Sequence, residues 1–205
     1  SRGYEGLGKW NFIPPRMVRT RYAETASDDA LVDFNADGLS EMAIGRIPVR
    51  EVADLNTIYN KTINWESALS PTTTDRGALF AYDFNSGYTF DLMSQRLRNQ
   101  LPSTMPSTFV YRGEANANTN LINAMNTGKY IINYSGHGTA GSWGGNPTFF
   151  NSTLVPTTAE HNPAIYTMLT CLNGYYHWLY FNSISETLLV SPNRGAVAAW
   201  ASSTL

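Results

Sequence analysis

YIINYSGHG at residues 130–138 and AIYTMLTCLNG at residues 164–174 carry the clearest fold signal in this chain. Each is a largely apolar run of strand length that leads into a glycine-containing turn. Such runs are typical of strands buried on both faces of a parallel sheet. His137 and Cys171 directly follow the two runs, so we expect both side chains at the carboxyl edge of the sheet, where sites form in open α/β folds.

Apolar runs alternate with helical patterns from Arg76 onward. This pattern predicts strands at residues 77–82, 108–111, 130–134, 164–170 and 196–201, and helices at residues 89–101, 119–126 and 183–189. Strands that alternate with helices imply right-handed crossovers. The predicted fold is therefore α/β, with a mostly parallel sheet covered by helices on both faces.

Residues 1–70 are predicted to form a smaller N-terminal segment. Its first 27 residues are rich in aromatic residues, Arg and Pro without a clear period, and are expected to be extended. The run LSEMAIGRIPV at residues 39–49 predicts a short buried strand, and the apolar spacing over residues 51–69 predicts an amphipathic helix. The polar connector SPTTTD marks the predicted boundary with a catalytic domain at residues 71–205.

Composition and charge disfavour two classes of partner. The chain has 205 residues, of which 42% are hydrophobic, and 14 Lys and Arg against 16 Asp and Glu give a net charge of −2. Without a run of basic residues, nucleic acid is not an expected partner. No apolar stretch approaches the roughly 20 residues needed to span a bilayer, so no membrane span is predicted.

Cys171 is the single cysteine, so it cannot form an internal disulfide. A lone cysteine is often a small buried apolar residue, but the pairing with His137 favours nucleophilic catalysis. A thiol has an ordinary pKa of about 8.5, and a nearby imidazole can take its proton and later protonate a leaving amine. The glycines around His137 leave the Gly138 N–H unobstructed, so that with the Cys171 N–H it can stabilise an oxyanion.

Several segments together resemble the catalytic region of the gingipain family of bacterial cysteine peptidases. They are residues 130–138, 170–174, 185–189 and 195–203, with DGLSEMAIGRIPV at residues 37–49 on the N-terminal side. The resemblance covers most of residues 28–205. It implies a caspase-like three-layer α/β fold, endopeptidase activity on polypeptides through an acyl-enzyme, and a bacterial protein that is secreted or on the cell surface.

Carried over to matching positions, the family's nucleophile falls on Cys171, its histidine on His137, and its oxyanion donors on the backbones of Gly138 and Cys171. The residues around Cys171 differ from the caspase signature Q-A-C-[RQG]-G, so a caspase proper is not expected. The resemblance also implies that residues beyond Leu205 help to wall the primary specificity pocket. The gingipains' preference for basic side chains is therefore not transferred.

Further residues are secondary candidates for the site. Asp83, just past the first strand of the regular region, is the candidate third residue that orients the imidazole, with Glu114 as its rival. Leu169 and His177 are the candidates for substrate contact. Glu186 resembles a recurring acid of the family, and a structural role near the start of its helix is expected.

Residues 33–38, Asp-Phe-Asn-Ala-Asp-Gly, place oxygen donors at alternate positions ahead of a glycine, as calcium loops do. An EF-hand requires Glu where this chain has Ile44, so Glu41 is the candidate substitute. The candidate ligands are Asp33, Asn35, Asp37 and Glu41, with Asp28 or Asp29 as a further candidate. A structural calcium ion is one interpretation and an Asx-rich turn is the other. No cofactor is predicted for catalysis.

Two other functions remain open at this point. A non-catalytic binding or adhesion module could keep a peptidase fold, although the presence of both His137 and Cys171 argues against it. A thiol acyltransferase or transpeptidase would share the acyl-enzyme and differ in the nucleophile that resolves it.

Overall fold

The computed structural model describes residues 13–70, 72–178 and 180–205. The strands in this part of the chain are β1 (Arg16–Arg19), β2 (Glu24–Ser27), β3 (Ala78–Tyr82), β4 (Ser107–Tyr111), β5 (Ile131–Ser135), β6 (Gly138–Thr139), β7 (Ser142–Trp143), β8 (Phe150–Asn151), β9 (Ala164–Leu169) and β10 (Ala196–Ala201). The α-helices are α1 (Val52–Ser67), α2 (Phe90–Arg98), α3 (Ala117–Asn126) and α4 (Ile184–Val190).

The main sheet has five strands in the order β10-β9-β5-β3-β4, and every neighbouring pair is parallel. Helices α2, α3 and α4 connect β3 to β4, β4 to β5, and β9 to β10. The chain first builds outward from β3 to β4, then returns to the other side of β3 with β5. The strand order therefore reverses between β3 and β5, and ligands bind at such a switch point in open α/β sheets.

Helices cover both faces of this sheet. Successive strand residues point to opposite faces, so alternate residues of one strand pack against different helices. Leu79 and Ala81 of β3 join the larger core with residues of α3 and α4, whereas Ala78 and Phe80 pack with Leu97 of α2. Each fully buried large apolar side chain contributes roughly 1.5–3 kcal/mol of transfer free energy. The predicted α/β class, with a mostly parallel sheet between two helical layers, is confirmed.

A small antiparallel sheet, β6-β7-β8, follows β5 and was not predicted. Its Trp143 is fully buried and stacks on Tyr134 of β5, with ring centroids 4.7 Å apart and planes 4° from parallel. The small sheet therefore packs on the same face as α3 and α4, and it fixes the chain that follows His137.

The strand predicted at residues 39–49 was wrong. The structure describes all of these residues and places no strand there. Leu39 is 70% exposed, Met42 56% and Ile47 56%. An apolar run predicts a strand only if another strand is available to pair with it, and no described strand pairs with this segment. The first 27 residues contain the hairpin β1-β2 within their described part, which the sequence pattern did not indicate.

The predicted helix at residues 51–69 is confirmed as α1, and it is attached to the rest of the chain through Lys61. The three protons of the Lys61 ammonium are shared among four backbone carbonyls, those of Leu188, Leu189, Ser191 and Arg194, at 2.7–3.0 Å. These carbonyls lie at and just beyond the end of α4, where a helix leaves carbonyls without internal partners. A cation there also interacts favourably with the helix dipole.

Among the described residues, no helix combines the length and the apolar character that crossing a bilayer requires.

Candidate active site

His137 and Cys171 follow neighbouring strands whose ends are in register. Strands β5 and β9 pair in parallel, and Ser135 of β5 lies opposite Leu169 of β9. The Gly136 N–H donates to the Leu169 carbonyl at 3.3 Å, which extends the ladder beyond the strand ends. His137 and Cys171 each come two residues after this paired position. The structure therefore brings both residues to the same edge, as predicted.

The two loops that carry these residues are in direct contact. A Cβ atom placed on Gly138 would lie 2.5 Å from Thr170 Oγ1 and 2.8 Å from the Ser142 carbonyl oxygen. Contacts below 3.0 Å are essentially never made by real Cβ atoms. Gly138 is therefore required because its backbone passes against the residue that immediately precedes Cys171.

Asn173 links the same two loops by hydrogen bonds. Its side chain is fully buried, and Nδ2 donates to the Thr139 carbonyl at 2.6 Å and to the Ser142 carbonyl at 3.2 Å. Those carbonyls flank the tight turn between β6 and β7, next to His137. The chain after Cys171 is thereby fixed to the chain after His137.

The hydrogen-bonding pattern of the β6-β7 hairpin orients the Gly138 amide. The Gly144 N–H donates to the His137 carbonyl at 2.7 Å, and Gly138 lies opposite Trp143. Hydrogen-bonded and non-hydrogen-bonded pairs alternate along an antiparallel ladder. Gly138 and Trp143 are therefore a non-hydrogen-bonded pair, and the Gly138 N–H points away from β7.

Asp83 lies beside His137 and contacts its backbone. The carboxylate is 1% exposed and forms an ion pair with Arg112 at 2.7 Å through Oδ1. Oδ2 accepts from the His137 N–H at 3.2 Å and from the Tyr134 hydroxyl at 3.4 Å. The Tyr134 hydroxyl shares its one proton between this oxygen and the His137 carbonyl, to which it donates at the shorter distance of 2.7 Å. In these contacts Asp83 holds the main chain of His137, which differs from the expected contact with the imidazole.

The imidazole of His137 contacts a different segment, the loop that joins β3 to α2. Its Nε2 lies 2.6 Å from Ser86 Oγ. Phe90 meets the ring edge to face with centroids 5.3 Å apart, and Tyr88 does so at 6.4 Å. No local sequence pattern points to Ser86, because only the adjacency of β3 and β5 places this loop beside His137.

The other sequence candidates lie at defined positions around this edge. Cys171 is half-buried, and Leu169 ends β9. His177 packs among aromatic rings, 4.0 Å from Tyr175 and 5.6 Å from Tyr176 between centroids. Glu114 is exposed and accepts from the Asn120 side chain of α3 at 2.7 Å and from the Tyr111 N–H at 3.4 Å.

Glu186 closes the N-terminus of α4 in a capping box. Its carboxylate accepts from the Ser183 N–H at 2.7 Å, and the Glu186 N–H donates to the Ser183 hydroxyl at 3.3 Å. Arg50 approaches the carboxylate at 3.6 Å. Burial nevertheless raises the pKa of Glu186 to about 7, because desolvation penalises the charged form. The expected structural role of Glu186 is confirmed.

The candidate calcium loop gathers three carboxylates. One oxygen each from Asp33, Asp37 and Glu41 lies within 4.8 Å of the others. The same groups bind the loop's own backbone: Asp33 Oδ2 accepts from the Gly38 N–H at 3.0 Å, and Asn35 Oδ1 from the Asp37 N–H at 2.9 Å. Oxygen ligands of this type suit Ca²⁺, and the hydrogen bonds alone also suit an Asx-rich turn.

A parallel α/β sheet that carries a cysteine and a histidine at one edge is the arrangement of caspase-like proteins. The family model described as peptidase family C25 matches residues 2–205. The chain therefore belongs to peptidase family C25, and it is of the gingipain type. Membership supports a cysteine-peptidase function. A search among curated proteins found no match.

Solved structures of gingipains share this fold. The chain is similar to the complex of Porphyromonas gingivalis RgpB pro- and mature domains, with a TM-score of 0.74 and 21% identity over 91% of this chain. It is also similar to the Arg-specific cysteine proteinase gingipain R, with a TM-score of 0.70 and 19% identity over 92% of this chain. In both cases it spans 46% of the gingipain chain.

Proposed function

We propose that this protein is a cysteine endopeptidase that hydrolyses peptide bonds with Cys171 as nucleophile and His137 as acid and base. The observation that carries the proposal is the register of β5 and β9. Ser135 pairs with Leu169, and His137 and Cys171 each follow two residues later at the same edge of the sheet. The chain spans 46% of each of the two gingipain chains that it resembles. Peptidase activity is therefore a proposal for this protein.

In the first step, the Cys171 thiol gives its proton to the His137 imidazole and the thiolate attacks the carbonyl carbon of the peptide bond. The tetrahedral oxyanion accepts hydrogen bonds from the Gly138 and Cys171 N–H groups. The outward direction of the Gly138 amide supports this role. The imidazolium then protonates the leaving amine, and the C–N bond breaks to give a thioester.

In the second step, water replaces the amine. Neutral His137 takes a proton from the water while its oxygen attacks the thioester, and the same two amides stabilise the second oxyanion. Collapse of this intermediate breaks the C–S bond, and the proton returns to the Cys171 sulfur. Leu169 and His177 remain our candidates for contacts with the polypeptide substrate, and Asp83 for positioning His137 through its backbone.

Alkylation of Cys171 tests the dyad directly, because the chain has a single cysteine and labelling is unambiguous. The rate of reaction with iodoacetamide is measured against pH for the wild type, His137→Ala and the control His161→Ala. An activated pair gives an inflection well below the value of about 8.5 for a free thiol, and only His137→Ala removes it. His161 is an exposed histidine beside Glu160, so it is a suitable control.

Cleavage of a peptide library then tests the reaction. Cys171→Ala is expected to abolish cleavage and leave the fold nearly intact, since it exchanges a thiol for a hydrogen. If Cys171→Ala unfolds the protein, the result favours a structural role for Cys171. If the thiol titrates like a free cysteine, the result favours a non-catalytic binding module. Product masses in the presence of an amine acceptor distinguish hydrolysis from transpeptidation.

We also propose a structural calcium ion at Asp33, Asn35, Asp37 and Glu41, on the convergence of the three carboxylates. Thermal unfolding with Ca²⁺, with Mg²⁺ and with a chelator tests it. Stabilisation by Ca²⁺ that Asp33→Asn removes supports the site. Equal melting temperatures in all three conditions would leave the Asx-rich turn as the explanation.

The proposed setting is outside a bacterial cell, either secreted or on the cell surface. Its support is the family and the likeness to a Porphyromonas gingivalis proteinase. Fractionation of the source bacterium, followed by immunodetection of the chain in medium, surface and cytoplasmic fractions, tests it. Recovery in the cytoplasm alone would contradict it.

A further inference from the structure

The loop between β3 and α2 holds the His137 ring on more than one side. Ser86 Oγ contacts Nε2 at 2.6 Å, and Phe90 and Tyr88 meet the ring edge to face. Phe90 is 5% exposed and belongs to the core-facing start of α2, so its position is fixed. Residues 86–90 therefore determine both the plane of the imidazole and the partner of one ring nitrogen.

Ser86 is itself held by its neighbours. Asn85 Oδ1 accepts from the Phe90 N–H at 2.8 Å, and Asn85 Nδ2 donates to Asp91 at 2.9 Å. These two bonds fasten the loop to the first turn of α2. On the other side of the loop, buried Asp83 anchors the chain through its ion pair with Arg112. Ser86 thus lies on a short segment that is secured at both ends.

The carboxylate of buried Asp83, beside His137, makes its described hydrogen bonds with groups other than the imidazole. Asp83 Oδ1 accepts from Arg112 and from the Phe84 N–H, and Oδ2 accepts from the His137 N–H and the Tyr134 hydroxyl. These four contacts involve the main chain and other side chains. Among the described contacts of the imidazole nitrogens, the hydrogen bond is with the neutral hydroxyl of Ser86.

We propose that Ser86 is the positioning residue of His137, accepting a hydrogen bond from Nε2–H and leaving Nδ1 as the nitrogen that exchanges a proton with Cys171. The inference rests on the proposed peptidase function. In the attack step the S–H bond breaks and an Nδ1–H bond forms. In the departure step Nδ1–H breaks and the amine N–H forms. The Nε2–H bond to Ser86 persists throughout, so the ring does not rotate between steps.

A hydroxyl is a weaker partner for an imidazolium than a carboxylate, because it carries no charge. The hydrogen bond is also exposed to water, so its net contribution is that of an ordinary neutral pair. We therefore expect Ser86→Ala to slow alkylation of Cys171 at neutral pH by about threefold to tenfold. Ser86→Thr keeps the hydroxyl and is expected to restore most of the rate.

The experiment compares wild type, Ser86→Ala, Ser86→Thr and the control Ser103→Ala, with His137→Ala as the reference for a lost dyad. Ser103 is an exposed serine in the loop after α2. Nitrogen chemical shifts of the imidazoles are recorded alongside the alkylation rates, because they report which ring nitrogen carries the proton. His161 and His177 are internal references in the same spectra. Thermal unfolding confirms that each variant is folded.

The expected result is an Nε2–H tautomer of His137 in the wild type that becomes mixed in Ser86→Ala, with the shifts of His161 and His177 unchanged. An Nδ1–H tautomer, or wild-type spectra and rates in Ser86→Ala, would overturn the role of Ser86 while the dyad stands. If His137→Ala also alkylates at the wild-type rate, the dyad itself fails. The two failures are therefore distinguishable.

Discussion

Asn173→Ala should weaken the site and the fold together, because Asn173 joins the two loops that carry His137 and Cys171. The substitution removes the hydrogen bonds from Nδ2 to the Thr139 and Ser142 carbonyls at 2.6 and 3.2 Å. Both bonds are partly buried and each contributes about 1 kcal/mol net, and truncation of the fully buried Asn173 side chain leaves a cavity that adds to the loss. We expect the free energy of unfolding to fall by about 2–4 kcal/mol.

Asn133→Ala is the matched control. Asn133 is 2% exposed, and its Nδ2 also makes two hydrogen bonds, to the carbonyl and the hydroxyl of Thr167 at 3.1 Å. Those bonds join β5 to β9 within the sheet, away from the loops. Both variants should lose stability in urea unfolding followed by tryptophan fluorescence. Only Asn173→Ala should also alter the alkylation rate of Cys171 and speed amide exchange in residues 138–143.

Asn173→Asp sharpens the same test, because it has nearly the same shape. A carboxylate oxygen would replace the amide nitrogen and face two carbonyl oxygens, so the charged form should be at least as destabilising as alanine. Protonation at acidic pH restores one donor and should recover part of the loss. If the stability of Asn173→Ala lies within about 0.5 kcal/mol of wild type, with unchanged alkylation and exchange, Asn173 does not join the two loops as described.

Glu186 and Lys61 give two further predictions. Because burial raises the pKa of Glu186 from 4.5 to about 7, the folded state binds its proton more tightly than the unfolded state, and stability should fall as pH rises between these values. The loss, on the order of 3 kcal/mol, should disappear from urea titrations of Glu186→Gln, and an unchanged pH slope would contradict it. Lys61→Met leaves four carbonyls without their donor and should lower the free energy of unfolding by about 3 kcal/mol. Lys129→Met, which removes one described bond to Thr108, should cost less, and equal losses would count against the role of Lys61.

The sequence predicted the central sheet because its strands are distinctive locally. Residues 131–135 and 164–169 are apolar, of strand length and bounded by glycine or proline, so burial on both faces could be inferred without the fold. The helices predicted at residues 89–101, 119–126 and 183–189 correspond to α2, α3 and α4 (Phe90–Arg98, Ala117–Asn126 and Ile184–Val190). The strand predicted at residues 39–49 failed because the same local signal carries no information about a pairing partner.

The candidate site divides in the same way. The sequence alone predicted that His137 and Cys171 follow consecutive long strands of a parallel sheet, and that Gly138 next to His137 has no side chain. Three contacts depend on the tertiary structure: Ser86 meets the imidazole, Asp83 binds the backbone of His137, and Asn173 joins the two loops. These contacts span 31–54 residues of sequence. Strand order brings them together, and strand order depends on which strands pair, which no local pattern along the chain records.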